Sequence, residues 1–350
     1  MSDLLEKLRS GVELDDSAVS AFCLTLLDES LPVGERAELL RALSAKGETP
    51  AEIARFVRAL LGHAREIEIR AGDAPVMDVC GTGGDRHGLF NISTAVMFVV
   101  AACGVRVVKS GNRGVTSKSG GADVLEALGV RIEIEPARAS AVLDDAGCVF
   151  LFAPFYHPAF KAVMPVRRLL AERGIATVFN KLGPLLNPAN PPFQLAGVFD
   201  PAMMDVYGAV FAELGRRRAW AVHGRASQGA DGESGCGLDE MSTLGATDVC
   251  AVESGEFSCR ALASSEFGIR RPDIAELRGG SAEENALKLE ALLRGRLPGA
   301  IEDIVLWNAA GALTVAGVCG DVGDGLDKAR GAIRSGDAAA RLDALRAATA

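Results

Sequence analysis

The hydrophobic residues in the first part of the chain recur three or four positions apart, which is the spacing of one face of a helix. Four such stretches follow one another between residues 2 and 70, and turn signals at Gly11, Pro32–Gly34 and Gly47–Pro50 separate them. No strand pattern interrupts them. The pattern predicts an all-helical domain over residues 1–72, which a segment around residues 165–190 could join.

From residue 73 to residue 350, short apolar runs alternate with helical patterns. Strands are predicted at residues 76–80, 105–109, 131–135, 149–153, 177–180 and 220–223. Helices are predicted at residues 91–103, 122–128, 309–317 and 326–333, and loops at 183–192 and 225–237. Strands that alternate with helices indicate a mostly parallel sheet flanked by helices. We therefore expect an α/β protein with a small helical domain and a large α/β domain.

Composition narrows the range of partners. With 350 residues, 49% of them hydrophobic, the chain is long enough to fold into two packed domains. The formal net charge is −9, and the longest run of basic residues is Arg216–Arg218. A protein that binds nucleic acid presents a basic face. We therefore expect no nucleic-acid partner.

The cysteines and the apolar stretches favour a cytoplasmic protein without a membrane partner. Eight cysteines occur without a CxxC pair, and Cys80, Cys103 and Cys148 lie in apolar runs. We expect reduced core thiols and no zinc site. The N-terminus lacks the apolar core of a signal peptide, and the longest apolar stretch, Val96–Val108, is too short to cross a bilayer.

A glycine-rich stretch follows the first predicted strand. Residues 78–85 are DVCGTGGD, and residues 90–94, FNIST, lie where a helix is predicted to begin. Glycines let backbone N–H groups approach phosphate oxygens, and a helix N-terminus adds unpaired N–H groups and a positive dipole end. Asn91, Ser93 and Thr94 are N-cap residue types that also suit a phosphate or a metal ion. This stretch predicts a phosphate site.

Three other interpretations of this stretch are a plain corner, a dinucleotide-binding fingerprint and a P-loop. A plain strand–turn–helix corner remains an alternative, although the glycines and the capping cluster exceed what a corner requires. The stretch does not match the dinucleotide-binding fingerprint, because Arg86 stands where the last glycine is needed. It does not match the P-loop either, because no Gly-Lys-Ser/Thr follows.

A second loop adds positive charge. Residues 107–129, VVKSGNRGVTSKSGGADVLEALG, form a predicted strand, a loop and a predicted helix. Lys109, Arg113 and Lys118 lie within ten residues, beside several hydroxyl and glycine positions. Such a cationic rim could hold a pyrophosphate. The alternative is a solvated basic loop.

Two acidic pairs differ in their surroundings. Asp239 and Glu240 follow the long loop and offer hard oxygen ligands that suit Mg²⁺, although an isolated Asp-Glu pair is usually solvated surface. Asp144 and Asp145 faintly resemble the acidic ribose loop of purine-type phosphoribosyltransferases, but the Thr-Gly continuation of that loop is absent. We interpret this second pair as the end of a helix.

These motifs together resemble the anthranilate phosphoribosyltransferase family. The resemblance covers GTGGD, FNIST, KSGNRGVTSKSGGADVLEALG, FAPFYHPAFKAVMPVRR (152–168), FNKLGPLLNPA (179–189), VHG (222–224) and GLDEMS (237–242), in family order and spacing over about residues 75–245. It implies transfer of phosphoribose from phosphoribosyl pyrophosphate (PRPP) to the amine of anthranilate, in tryptophan biosynthesis. It also implies Mg²⁺, two ions by family analogy, and a homodimer formed through the helical domain.

The resemblance also assigns site residues. The PRPP site would comprise Gly81, Gly84, Asp85, Asn91, Ile92, Ser93, Thr94, Lys109, Asn112, Arg113, Ser117 and Gly121. The anthranilate site would comprise Gly81, Ser110, Asn112, His157 and Arg167, with Arg167 pairing with the carboxylate. Ser93, Asp239 and Glu240 would bind Mg²⁺.

Four features depart from the family pattern. Ser110 stands where the family usually has His, Leu89 replaces a usual Thr, and Gly121 replaces a usual Ser. Each lost hydrogen bond costs about 0.5–3 kcal/mol, depending on burial. The loop at residues 225–236 is longer than usual, which favours a tolerated surface insertion over a lid.

Three alternatives follow from these departures and from the motifs. Ser110 allows a paralogous phosphoribosyltransferase with another aromatic acceptor. Lys109-Ser110-Gly111 resembles the phosphate loop of the pyrimidine nucleoside phosphorylases, which need no Mg²⁺, but Asn112-Arg113 and DVLEALG favour the transferase. A weakly catalytic nucleic-acid-binding relative is disfavoured by the charge of −9.

Overall fold

The N-terminal part of the protein is helical. The structure is a computed structural model that describes residues 1–70, 72–85, 87–114, 118–226 and 237–350. The first four helices are α1 (Ser2–Arg9), α2 (Asp16–Leu27), α3 (Val33–Lys46) and α4 (Pro50–Leu61). Helix α4 begins with Pro at its first position and a reciprocal capping box between Thr49 and Glu52, which satisfies N–H groups that the helix leaves open.

The rest of the chain builds one seven-stranded sheet. Its strands are β1 (Val76–Gly81), β2 (Arg106–Gly111), β3 (Cys148–Phe152), β4 (Phe193–Gly197), β5 (Arg218–Gly224), β6 (Ala246–Glu253) and β7 (Glu256–Ala263). The strand order is β3-β2-β1-β4-β5-β6-β7. The first five are parallel, and β6 and β7 add an antiparallel hairpin at one edge. This confirms the predicted mostly parallel sheet.

Eleven helices follow α4 within the described residues. They are α5 (Ile92–Ala102), α6 (Gly121–Ala127), α7 (Pro136–Ala146), α8 (Ala153–Tyr156), α9 (Met164–Ala171), α10 (Phe179–Leu182), α11 (Met204–Glu213), α12 (Ala282–Leu293), α13 (Ala300–Ala316), α14 (Val322–Arg334) and α15 (Asp337–Thr349). Helices α5 and α13 are almost wholly buried, which explains why their sequences are apolar on all sides.

The strand order places a switch point in the sheet. From β1 the chain proceeds to β2 and β3 on one side, and from β4 to β5 on the other. The loops after β1 and β4 therefore leave in opposite directions and open a crevice at the carboxyl ends of these strands. Ligands of open α/β sheets bind at such points.

Two hydrophobic cores cover the two faces of the sheet. One contains α5, α13 and the other late helices, with Met77 and Val79 from β1. The second core contains the N-terminal helices, parts of residues 163–186, and Ala196, Ala219 and Ala221 from the other face of the sheet. Buried Arg36 of α3 donates to the carbonyl oxygens of Leu26 and Ala162, at 3.2 and 2.9 Å. These bonds connect the N-terminal helices to the helical segment around residue 163.

Two predicted strands are wrong. Residues 131–135 are extended and half-buried, but their polar groups bond to side chains instead of a neighbouring strand: the Tyr156 hydroxyl donates to Ile134 O at 2.6 Å, and Arg131 N donates to Thr349 Oγ1 at 3.3 Å. Residues 177–180 lead into α10, because the Asn180 side chain accepts from Thr177 N and caps the turn. A short apolar run alone does not distinguish these cases.

Three strands escape sequence prediction. Strand β4 has five residues and follows Pro191–Pro192, inside a region dominated by loop signals. Strands β6 and β7 form a hairpin whose turn, Ser254–Gly255, has φ values of 53° and 87°. A pair of left-handed residues is the usual solution for a tight hairpin turn.

Asp144 and Asp145 lie in the last turn of α7, as predicted.

The expectation of reduced cysteines is wrong for one pair. Cys250 on β6 and Cys259 on β7 are joined by a disulfide. Cys23, Cys80, Cys103, Cys148 and Cys319 are free thiols, and Cys236 lies outside the described residues.

None of the described helices is long and apolar enough to cross a membrane.

The buried carboxylate of Glu52 provides a test of how the helical part is stabilised. It accepts hydrogen bonds from Leu14 N at 2.8 Å and Thr49 N at 2.9 Å, and pairs with Lys46 at 2.7 Å. We expect Glu52→Ala to lower the free energy of unfolding by about 3–5 kcal/mol, because a buried cation and two N–H groups lose their partner.

Chemical denaturation measures this loss, with Glu35→Ala as the matched control. Glu35 is exposed in the first turn of α3, so its removal should cost about 1 kcal/mol or less. Equal losses in the two variants would contradict the importance of the buried carboxylate.

Candidate functional site

Glycines end four of the five parallel strands: Gly81 on β1, Gly111 on β2, Gly197 on β4 and Gly224 on β5. Three of them leave room for one segment of backbone. A Cβ atom at Gly197 would lie 1.6 Å from Asp239 O, one at Gly81 2.3 Å from Asp239 Oδ2, and one at Gly224 2.5 Å from Glu240 O. Because such distances are impossible for real Cβ atoms, glycine at these strand ends is what lets Asp239 and Glu240 lie on the switch point.

Helix α13 holds the acidic segment from its other side. The buried side chain of Asn308 accepts a hydrogen bond from Met241 N at 2.8 Å and donates to Met241 O at 2.9 Å. A Cβ at Gly311, one turn further along α13, would lie 2.2 Å from the Met241 sulfur. Leu238 pairs with Gly224 through backbone hydrogen bonds of 2.8 and 2.9 Å. The residues on both sides of the acidic pair are therefore fixed.

The glycine-rich loop after β1 is tied to the same segment. Gly83 N donates to Asp239 Oδ2 at 2.7 Å. Thr82 N donates to Gly197 O at 2.9 Å, and the Thr82 hydroxyl accepts from Phe199 N at 3.0 Å. Gly83 and Gly84 have φ values of 70° and 97°, a conformation that favours glycine. The loop therefore needs both its glycines and the carboxylate of Asp239.

Three carboxylates gather here without a lysine or arginine partner. Among the described residues, Asp85, Asp239 and Glu240 form no ion pair with Lys or Arg. Burial, together with the charge of Asp85, raises the pKa of Asp239 to about 6, although the hydrogen bond from Gly83 N acts in the opposite direction. Burial and the charge of Asp239 raise the pKa of Glu240 well above its ordinary value. Burial also raises the pKa of Asp85. The cluster carries more negative charge than its surroundings compensate.

Lys109 supplies the nearest buried positive charge. Its Nζ donates to Val79 O at 2.6 Å and to Ser93 Oγ at 3.1 Å. Its charge lowers the pKa values of Asp239 and Glu240, although burial outweighs it at both. Ser93 and Glu240 also line one small cavity of about 10 Å³, which has room for about one water molecule. The predicted metal ligands Ser93 and Glu240 thus lie close together.

The N-terminus of α5 faces the loop. Ile92 is buried at its first position, and Ser93 and Thr94 follow in its first turn. Asn91, the N-cap residue, does not bond to its own helix and donates instead to Ser119 O at 3.2 Å. Ile92 N donates to Phe90 O at 2.8 Å, and the backbone N–H of Ser93 interacts with the Glu240 carboxylate, so the helix N-terminus faces the acidic segment.

Asn285 of α12 connects the two predicted phosphate loops. Its buried side-chain amide donates to Asn91 Oδ1 at 2.8 Å and to Ser119 Oγ at 3.0 Å, and accepts from Gly280 N at 2.8 Å. Asn91 belongs to the first loop and Ser119 to the second. Asn285 therefore fixes the spacing between them.

The second loop is only partly arranged as predicted. Arg113 forms ion pairs with Asp123, at 3.1 Å, and with Glu126 of α6. Its guanidinium is thus occupied by two carboxylates, and its contact with a phosphate stays a prediction. Asn112 is exposed and its side chain accepts from Arg113 N at 2.8 Å. Ser117 lies outside the described residues.

Gly121 and Ser110 occupy confined positions. A Cβ at Gly121 would lie 2.9 Å from Thr94 Oγ1, so any side chain there requires a shift of Thr94. Ser110 is fixed through its backbone, because Ser110 N donates to Asp78 Oδ1 at 3.3 Å. Burial raises the pKa of Asp78, against the influence of Lys109. Ser110 follows Lys109 at the end of β2, and its hydroxyl makes no hydrogen bond with any described residue.

The two acceptor residues on the helical side are joined by stacked rings. The guanidinium of Arg167 lies 5.5 Å from the Phe179 ring, Phe179 packs edge-on against Phe160, and Phe160 stacks on His157. Buried His157 bonds through Nε2 to Leu186 O at 2.8 Å, and burial lowers its pKa, so the ring is neutral at pH 7. Arg167 has no ion pair or hydrogen bond within the described residues, and burial lowers its pKa. It is a half-buried cation that lacks an anion.

Sequence reasoning missed four residues of the site: Thr82, Gly197, Asn285 and Asn308. Thr82 lies inside the glycine motif, where a side-chain contact is not visible from composition. Asn308 lies on the apolar helix α13, where a lone amide was a signal because buried polar groups need partners, whereas Asn285 lies on the charged helix α12 and gave no such signal. Gly197 could have been found from the sequence, because it ends a short apolar run.

Two domain families match the chain. The glycosyl transferase family, a/b domain, matches residues 73–339, and the glycosyl transferase family, helical bundle domain, matches residues 2–64. The chain is 41% identical over 344 residues to an anthranilate phosphoribosyltransferase of Desulfatibacillum aliphaticivorans, covering 98% of this chain and 97% of that one. It is 43% identical over 349 residues to one of Azorhizobium caulinodans, covering 99% and 96%.

Solved structures agree over the whole length. The anthranilate phosphoribosyltransferase of Thermus thermophilus superposes with a TM-score of 0.87 at 37% identity, over 99% of both chains. The Saccharomyces cerevisiae enzyme in complex with PRPP and Mg superposes with a TM-score of 0.83 at 26% identity, over 99% of this chain and 97% of that one.

The strand-end glycines generate a stability prediction. We expect Gly197→Ala to lower the free energy of unfolding by about 1–3 kcal/mol, because its Cβ meets the backbone of Asp239, which cannot rotate away. Gly34→Ala is the matched control. Gly34 lies in α3 with no atom within 4 Å of an added Cβ, so the control should gain about 0.5–1 kcal/mol. Denaturant unfolding of both variants measures the contrast, and an unchanged Gly197→Ala would contradict the close approach.

Proposed function

The chain belongs to the anthranilate phosphoribosyltransferases, a glycosyl transferase family, and from this membership we propose how its strand-end site carries out the reaction. The enzyme transfers the phosphoribosyl group of PRPP to the amine of anthranilate, in tryptophan biosynthesis, and releases pyrophosphate. One observation carries the proposal: three carboxylates that have no lysine or arginine partner among the described residues lie at the switch point, beside the N-terminus of a buried helix.

The donor set at the switch point fits Mg²⁺. Asp85, Asp239 and Glu240 are hard oxygen donors, and burial raises the pKa of each, so a cation bound beside them would favour their charged forms. Asp239, Glu240 and Ser93 would hold the metal, and two ions would balance the carboxylates and the pyrophosphate. The yeast relative has been solved with PRPP and Mg. When bound, Mg²⁺ neutralises negative charge on the pyrophosphate.

The chain's own groups would hold the donor substrate on two sides. The backbone of Gly81, Gly84 and the first turn of α5 offers N–H groups to phosphate oxygens, with Asn91, Ser93 and Thr94 beside them. Lys109 adds a fixed positive charge that burial keeps from being screened. Asn112, Arg113, Ser117 and Gly121 would close the site from the second loop. Asn285 keeps the loops at the required separation.

The reaction needs charge stabilisation more than proton transfer. The bond between the ribosyl carbon and the pyrophosphate oxygen breaks, and the anthranilate nitrogen bonds to that carbon and loses a proton. An aromatic amine is neutral at pH 7 and needs little activation. The described site offers backbone N–H groups and a buried lysine, and His157 on the acceptor side is already bonded through Nε2. Rate would therefore come from positioning and electrostatics.

The acceptor would bind between β2 and the helical segment of residues 157–179. Arg167 lacks an anion, and the carboxylate of anthranilate would supply one. The aromatic rings of Phe160, Phe179 and His157 form an apolar wall that suits the anthranilate ring. Gly81, Ser110 and Asn112 would complete the acceptor site. The small Ser110 leaves the space that a histidine ring would fill, so the acceptor site is wider on this side.

Location and assembly follow from family analogy. We infer a cytoplasmic homodimer that forms through the helical domain. Apolar side chains on the surface of this part of the molecule support it: Val12, Leu24 of α2 and Met164 of α9 are 49%, 60% and 49% exposed.

The fluorescence of anthranilate tests the activity. Purified protein is mixed with anthranilate, PRPP and Mg²⁺, and the fluorescence should fall only when all three are present. An unchanged signal in a protein that still binds PRPP with Mg²⁺ would mean that the donor site is intact and that Ser110 has redirected the acceptor site.

The same assay tests the metal ligands. We expect Asp239→Ala plus Glu240→Ala to reduce turnover by at least about 1,000-fold, since losing one preorganised electrostatic contact already costs roughly 100- to 1,000-fold. Glu66→Ala plus Glu68→Ala removes the same charge from two exposed positions and should leave turnover unchanged. Wild-type activity in the first variant would exclude the metal assignment.

The acceptor site generates a separate prediction. We expect Arg167→Gln to raise the KM for anthranilate roughly 10- to 100-fold with little change in the KM for PRPP, because a charged hydrogen bond is worth about 1.5–3 kcal/mol. Arg168→Gln, one position along α9 and exposed, is the matched control. Equal effects on both KM values would show that Arg167 acts through the fold instead of through the acceptor.

A further inference from the structure

Outside the strand-end site, three side chains that can bind a metal meet where α11 packs on the β6–β7 hairpin. Cys250 and Cys259 face each other in the antiparallel register, with Cα atoms 4.2 Å apart. Asp205 of α11 places Oδ1 3.8 Å from Cys250 Sγ and 3.6 Å from Cys259 Sγ. Within the described parts of the chain, no other three His, Cys, Asp or Glu side chains bring their ligand atoms within 4.8 Å of one another.

We propose that Cys250, Cys259 and Asp205 form a second metal site in the reduced protein, which takes a thiophilic divalent cation such as Zn²⁺. In a tetrahedral zinc site, ligand bonds of about 2.3 Å to sulfur and about 2.1 Å to oxygen separate S and O by about 3.6 Å and the two S atoms by about 3.8 Å. The observed S···O distances already match. Only the two sulfurs must separate, which reduction of the disulfide permits.

The packing of α11 on the hairpin brings the carboxylate over the sulfurs. Gly208, three residues after Asp205, lies on the same face of the helix. A Cβ at Gly208 would lie 3.2 Å from the Phe257 ring and 3.7 Å from Cys250 Cβ, so glycine allows α11 to approach the hairpin closely. The site therefore depends on a close contact between two elements and not on a mobile side chain.

The charge of Asp205 supports a cation here. Asp205 forms no ion pair in the described structure, and its oxygen faces two disulfide sulfurs that have no hydrogen to donate. Two thiolates and this carboxylate would give the site three negative charges, of which a divalent cation neutralises two, and water can supply the fourth ligand. Thiolate ligands select such a metal over Mg²⁺.

Metal binding and the disulfide exclude each other. The two thiols lose two protons and two electrons when they form the disulfide, and a low-molecular-weight disulfide such as oxidised glutathione accepts them and is released as two thiols. Cys259 is exposed, so the exchange can begin there. After the disulfide has been reduced, binding of a divalent metal ion to the two thiols releases two protons.

Cadmium titration of the full-length protein tests the site. The protein is reduced with a phosphine, freed of reductant without oxygen, and titrated with Cd²⁺ while the ultraviolet thiolate-to-metal charge-transfer band is followed. We expect the band to saturate at one Cd²⁺ per chain. Oxidised glutathione should abolish it, and renewed reduction should restore it. The catalytic carboxylates cannot produce this band.

Variants separate the site from other thiols. Cys259→Ser should abolish the band, and Asp205→Asn should weaken Cd²⁺ binding at least roughly 10-fold, the cost even of disturbing an outer partner of a metal ligand. Cys319→Ser, which removes a half-buried free thiol, is the matched control and should leave the band unchanged. Absence of the band in the reduced wild type, or equal bands in Cys259→Ser and the wild type, would overturn the proposal. Asp205 lies on α11, outside the hairpin, so its variant does not depend on hairpin folding.

Discussion

The structure depends on the close approach between the backbone of residues 238–241 and the carboxyl ends of three parallel strands. Because Gly81, Gly197 and Gly224 have no side chains, nothing separates the ends of these strands from the acidic segment. The carboxylates therefore reach the switch point, where the glycine-rich loop and α5 also converge. Their raised pKa values follow from the same confinement, because carboxylates brought together and away from water resist ionisation. A cation bound there would relieve that cost, so the packing of the glycines and the proposed metal site are two aspects of one constraint.

Much of this site could be predicted from the sequence because its members lie in contiguous motifs. The glycine loop, the start of α5, Lys109 and the acidic pair each carry a local signature, and the structure places these motifs around one crevice. Asn308 and Asn285 could not be found in this way, because their partners lie 67 and 194 residues away in the chain. Arg113 illustrates a different limit. Its charge predicts a contact with phosphate, which stays a prediction, and its pairing with carboxylates on the next helix is visible only in three dimensions.

The fold was predictable to a similar extent and for similar reasons. Alternation of strands and helices predicted the parallel sheet, whereas the edge hairpin was missed because β7 is largely exposed and shows no burial pattern of a strand. The segment at 131–135 has the alternation of a strand and none of its pairing, since burial of every second residue requires only a half-covered surface. The local pattern of apolar and polar residues predicts well which residues are buried, but it predicts poorly which groups form hydrogen bonds with each other. The same limit hid the cross-strand disulfide, which arises from register between two strands that the pattern did not reveal.

The second core has a consequence for how the protein is made. Its N-terminal helices pack against residues 163–186 and against the far face of the sheet, so no continuous stretch of chain contains a complete helical core. On the ribosome, α1–α4 emerge first, but Arg36 of α3 then lacks the Ala162 carbonyl that completes its bonding, and the apolar faces of the four helices remain uncovered. The helical domain is thus a late product of synthesis despite its early position. Its first helices can complete this core only after more than half of the chain has been translated.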